Sequence, residues 1–159
     1  MMLSFSIPAM RPMIEAGLRQ RAGEELPEAA RVKRQTIRAR GPVWQRVLAG
    51  TEGGRDLGGR VERDLHLWWK SRTKERALMG VVRGFEIYPV TISRDDDAKY
   101  VIVQHPGAYI VGQPTRLRLA WSPEIFDFAL ADGFEHAEAF ADFFVPRPGD
   151  RFAGALIKW

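Results

Sequence analysis

Lys33 and Thr36 stand three residues apart in the stretch Lys33-Arg34-Gln35-Thr36-Ile37-Arg38, and an amine beside a hydroxyl could do covalent chemistry. A lysine desolvated near a threonine has its pKa drawn towards neutrality and can take the hydroxyl proton as a general base. The backbone between them decides whether they meet. On a regular strand, positions three apart point to opposite faces; on a turn they share one. Catalysis therefore requires a strand that starts only near Thr36. The structural alternative is a strand-entry lysine whose stem packs against an aromatic, with the threonine present for its β propensity.

Other chemistries are limited by composition. The chain has no cysteine, which removes disulfides, thiolate metal ligands and thiol nucleophiles together and fits a reducing compartment. His66, His105 and His136 are scattered without metal-ligand spacing, so no metal site and no cofactor is expected. The formal net charge is +4, but it is unevenly placed. Residues 11–76 hold 16 Lys or Arg against 9 Asp or Glu, whereas residues 122–150 hold one Arg against seven acids. Such polarity suits a basic face for a polyanion, or simply two solvated faces of opposite sign.

The elements that must position these groups follow from periodicity. At 159 residues, with 45% hydrophobic residues and nine Phe, the chain has the length and apolar content of one globular domain, 1–159. Residues 8–18 place Met10, Met13, Ile14, Gly17 and Leu18 at helical spacing, and 19–30 read as a charged loop or frayed extension. Residues 35–39 form a short strand and 42–49 a helical turn carrying Trp44 and Leu48. Four glycines give residues 51–63 the composition of a mobile loop. Leu65, Leu67 and Trp69 alternate with polar or amphipathic neighbours as a half-buried strand does. Five further short strands are expected at 77–82, 85–92, 100–104, 108–111 and 115–121, a spacing that suggests a small barrel or sandwich. Ser122-Pro123-Glu124 starts a helix that Asp132-Gly133 stops, residues 137–144 make a second, and 152–159 close the chain as a strand. The predicted core is Leu65, Leu67, Leu117, Leu119, Phe140, Phe144, Leu156 and Ile157. No apolar run approaches a membrane span and residues 1–13 lack the pattern of a signal peptide, so a cytoplasmic protein with no membrane partner is expected.

Three segments in order resemble the ASCH family, small relatives of PUA-like RNA-binding barrels. They are the Lys33-to-Arg38 box, Asp64-Leu65-His66-Leu67 leading to Arg72-Thr73-Lys74, and Ala131-Asp132-Gly133-Phe134 followed by Glu138, Phe140 and Phe152-x-Gly154-x-Leu156-Ile157-x-Trp159. The resemblance implies an α+β fold built on a small PUA-like β-barrel with flanking helices. Relative to the family pattern, charged insertions fall near 19–32 and 51–63 and flank the implied pocket.

Some ASCH proteins are amidohydrolases that remove acyl groups from the exocyclic amine of cytidine. Carried over, Thr36 is the nucleophile, Lys33 its base, and Asp132 the carboxylate that orients Lys33 or the amine. Assigned members carry Glu there, one methylene longer. The competing reading is a binding module that holds RNA or a modified nucleoside in a basic cleft, with Arg38, Arg40, Lys70, Arg72 and Lys74 as cations and Trp68 as a stacking platform. A third is a metal-independent ribonuclease drawing its acid and base from His66, His105, Lys33 or Tyr109.

Overall fold

The computed structural model describes residues 1–39, 41–97, 100–106, 108–112 and 123–159. The chain begins with a four-residue strand, β1 (Met2–Phe5), in which Leu3 and Phe5 are buried. The sequence did not announce this strand, because four residues carry too little alternation. Helix α1 (Met10–Arg21) buries Met13, Ile14 and Gly17 on one stripe and runs past its expected end at 18. Strand β2 (Gln35–Ala39) and helix α2 (Pro42–Ala49), with its proline at the helix start, stand where the sequence puts them.

The expectation of a mobile loop at 51–63 is overturned. The stretch holds a short helix, α3 (Gly54–Leu57), and the first residues of β3 (Gly59–Trp69). Thr51 Oγ1 donates to Leu48 O at 2.6 Å, which fastens the segment to the end of α2. Its glycines serve close approach rather than mobility: Gly58 has φ +69°, and a Cβ there would overlap Ile87 O. The two strands expected at 77–82 and 85–92 are likewise one, β4 (Ala77–Arg94), which runs through Gly84 at φ +68°.

The remaining described elements are β5 (Val101–His105), β6 (Ala108–Gly112), α4 (Pro123–Ala131), α5 (Ala137–Phe144) and β7 (Arg151–Lys158). The strand expected at 115–121, with Leu117 and Leu119, lies outside the described residues, as does Ser122. His136 caps α5, its Nδ1 accepting from the Ala139 N–H at 3.1 Å.

All seven described strands belong to one curled sheet that forms a half-barrel. β4 is its spine. One edge of β4 pairs with β3 and then β5, and the other edge pairs with β7, since Ile87 faces both Gly59 and Ile157 and Thr91 faces both Gln104 and Ala153. β7 continues to β2, and β3 continues to the parallel β1. The sheet therefore runs β1-β3-β4-β7-β2 across its curled part, and Arg38 bridges the two outermost strands. Its guanidinium donates to Ser4 O at 2.8 Å and lies 5.1 Å from the Phe5 ring centroid.

Of the expected core, Leu65, Leu67, Phe140, Leu156 and Ile157 are buried, whereas Phe144 is half-buried. They do not form one core. Leu65, Leu67 and Ile157 pack with α1 and α2 residues in one cluster, while Phe140 and Leu156 pack with α4 and α5 residues in another. Adjacent Leu156 and Ile157 point to opposite faces of β7, so the sheet carries an apolar layer on each side.

Candidate functional site

The strand β2 begins at Gln35, so Lys33 lies in the irregular residues before it, while Thr36 and Arg38 share one face of the strand. This satisfies the condition that the Lys33–Thr36 spacing imposed. The Lys33 backbone is tied to α1, its N–H donating to Met13 O at 2.9 Å. The approach is close because Gly17 lacks a side chain; a Cβ there would overlap Lys33 O.

From that anchor the Lys33 side chain, 1% exposed, reaches the C-terminal end of α4. Its Nζ lies 2.9 Å from Asp132 Oδ1 and also donates to the Asp132 carbonyl. The neighbouring box residues satisfy further carbonyls of the same helix end. The Arg34 N–H donates to Ala131 O at 3.4 Å and Gln35 Nε2 to Phe128 O at 3.1 Å. Gly133 adopts φ +92° just after the helix, and a Cβ there would stand 3.2 Å from Lys33 Cδ. Asp132-Gly133 is thus both a helix stop and half of a buried ion pair. The separation of ninety-nine positions between Lys33 and Asp132 makes this the longest-range element of the expected site.

Burial pushes the Lys33 ammonium below its ordinary pKa, with Arg38 adding to the push and the Asp132 carboxylate opposing it. Burial pushes Asp132 up, opposed by Lys33, by Arg38 and by the Ile37 N–H that the carboxylate accepts. Arg38 is itself lowered by burial, with Asp132 opposing. A cavity of about 150 Å3 opens against this pair, and Lys33, Thr36, Arg38 and Asp132 all line it. Its apolar wall includes Ile7, Met10, Phe134 and Phe143.

Across Arg38 lies a second cavity, of about 430 Å3, and the two share Ser4, Ser6 and Arg38 as walls. Lys70 and Arg72 line the outer cavity together with Trp44, and among the described residues no carboxylate does. Lys70 is held at φ 44° and pairs with exposed Glu75. Trp44 was not assigned to the cleft from the sequence, because its spacing with Leu48 reads equally as helix packing. The structure does not bring Trp68 or Lys74 to either cavity: Trp68 is half-buried on β3 opposite Ser4 and Leu78, and Lys74 is exposed on the turn beyond. Arg40 lies outside the described residues.

The histidines stand apart from this site. His66 is half-buried on β3, and His105 Nδ1 donates to Pro106 O at 3.1 Å while the ring stacks on Phe128. The Tyr109 side chain lies outside the described residues. Among the described residues no group of three His, Cys, Asp or Glu could hold a metal ion, and no helix is long and apolar enough to cross a membrane. Comparison with family models, curated proteins and solved structures found no match to this chain.

Proposed function

We propose that this chain is an ASCH-type domain that recognises RNA or a nucleoside in the cleft between β1, β2 and the end of α4. The observation that carries the reading is the adjoining pair of cavities: an outer wall with Arg38, Lys70 and Arg72 and, among the described residues, no carboxylate, beside an aromatic inner pocket with polar groups at its base. Cations suit phosphates, and phenylalanine faces suit bases whose edges meet a few fixed donors and acceptors. Fluorescence titration with short single-stranded RNA and with the four nucleosides tests this. Binding should weaken when Phe143 is changed to Ala, and RNA binding should fall steeply between about 50 and 200 mM salt. RNA affinity indifferent to salt, with no nucleoside binding, would overturn the reading.

A second reading, acyl removal from the exocyclic amine of cytidine, is favoured by the buried Lys33–Asp132 contact beside Thr36. In that reaction Thr36 Oγ bonds to the acyl carbon as neutral Lys33 takes its proton. The carbon–nitrogen bond then breaks, the leaving amine receives that proton, and water hydrolyses the resulting ester. Turnover of an acylated cytidine by the parent chain, lost in Thr36→Ala and kept in Thr36→Ser, is the expected result. No turnover leaves the binding reading as the function.

A further inference from the structure

The outer cavity raises a question that recognition of a base alone does not answer. The inner compartment, at about 150 Å3, is below the roughly 300–1,000 Å3 of sites that enclose a whole small ligand. A nucleotide that enters it base first must leave its sugar and phosphate outside. The outer compartment of about 430 Å3 adjoins it, with Ser4, Ser6 and Arg38 as walls common to both. That compartment meets the demands of a phosphate. Arg38, Lys70 and Arg72 line it, and among the described residues no Asp or Glu does. The Arg38 guanidinium is fixed in advance by Ser4 O and the Phe5 ring, so little side-chain freedom is lost on binding. Ser71, also in the wall, has a buried hydroxyl with no hydrogen-bond partner among the described residues, an unused donor of the kind a ligand oxygen satisfies. Lys70 pairs with Glu75, which is exposed, and such a surface pair is weak enough to give way to a stronger anion.

We infer that the cleft is a two-compartment nucleotide site, in which the inner cavity takes a single base and the outer cavity takes its phosphate between Arg38, Lys70 and Arg72. The ligand is therefore a phosphorylated nucleotide unit rather than a free nucleoside, supplied either as a monophosphate or as one extruded residue of a single strand. The inference rests on the proposed recognition of RNA or a nucleoside and sharpens it.

The test compares the four nucleosides, their 5′-monophosphates and a trinucleotide RNA by titration, using the parent chain and a Lys70→Asn, Arg72→Ala double variant. Asparagine is chosen because it tolerates the left-handed backbone of position 70. At least one monophosphate should bind ten times or more as tightly as its nucleoside. The double variant should erase that advantage, bringing the monophosphate's affinity down to that of its nucleoside in the same variant, since phosphate neutralisation is what it removes. A trinucleotide tighter than the monophosphate identifies the strand as the source, and equal affinity identifies the monophosphate; both sustain the inference. Nucleoside and monophosphate of equal affinity overturn it while leaving nucleoside recognition standing. An advantage that persists in the double variant overturns it by putting the phosphate elsewhere. If none of the probes binds, recognition of RNA or nucleosides has itself failed.

Discussion

At the scale of single residues, the chemistry of this protein turns on what Asp132 does to Lys33. The carboxylate lies 2.9 Å from the ammonium and favours its charged form, whereas burial and Arg38 favour the neutral amine. Removing the charge of Asp132 removes the carboxylate that holds the proton on Lys33, so Asp132→Asn should lower the lysine's pKa further. Any hydrolysis that needs neutral Lys33 as base should then have its rising limb displaced to lower pH in Asp132→Asn. A pH–rate profile for the variant and the parent checks this, and a limb displaced to higher pH would show that Asp132 does not act on Lys33 through its charge. Lys33→Ala is a poorer probe, because it strands a buried carboxylate and is expected to unfold part of the site.

The element scale shows why the box residues sit where they do. A glycine inside α1 is costly, and helix propensity alone predicts that Gly17→Ala stabilises the protein by roughly 1 kcal/mol. The packing predicts the opposite. A Cβ at Gly17 would overlap the Lys33 carbonyl and push the box away from α1, breaking the Lys33 N–H to Met13 O bond and pulling the Lys33 side chain from the end of α4. Gly17→Ala should therefore destabilise by about 1–3 kcal/mol, in the range of an overpacked core. Urea unfolding measures it, and a midpoint raised by the substitution would mean that the box does not rest on the helix. The same scale explains the misread loop. Four glycines in 51–63 read as mobility from composition, but at Gly58 the missing side chain is what lets the chain lie against β4.

At the scale of the whole molecule, the sheet joins two apolar layers through β7. Ile157 faces the layer under α1 and α2, and its strand is paired on both edges, with Thr36 and with Ile87. Truncation there opens a cavity that neither neighbouring strand can fill, so Ile157→Ala should cost about 2–5 kcal/mol. Thermal or urea denaturation checks this; an unchanged midpoint would show that the layer is not closely packed. Because Thr36 is the direct neighbour of Ile157 in the sheet, a loosened β7 should also reach the cleft.

Much of this was legible in the sequence. Helical spacing in α1, the alternation of Leu65, Leu67 and Trp69, the proline and glycine that bound local elements, and the box that starts a strand at Gln35 are all set by short-range periodicity and backbone preference. The pairing of Lys33 with Asp132 was suggested only through a family resemblance, since no local rule joins residues ninety-nine positions apart. Tertiary structure alone decided that β1 exists, that 77–94 is one strand, that the core is two layers, and that Trp44 rather than Trp68 lines the cleft. The reason is common to all four. Each depends on which surfaces the curled sheet brings face to face, and burial between distant segments leaves no periodic mark in either segment taken alone.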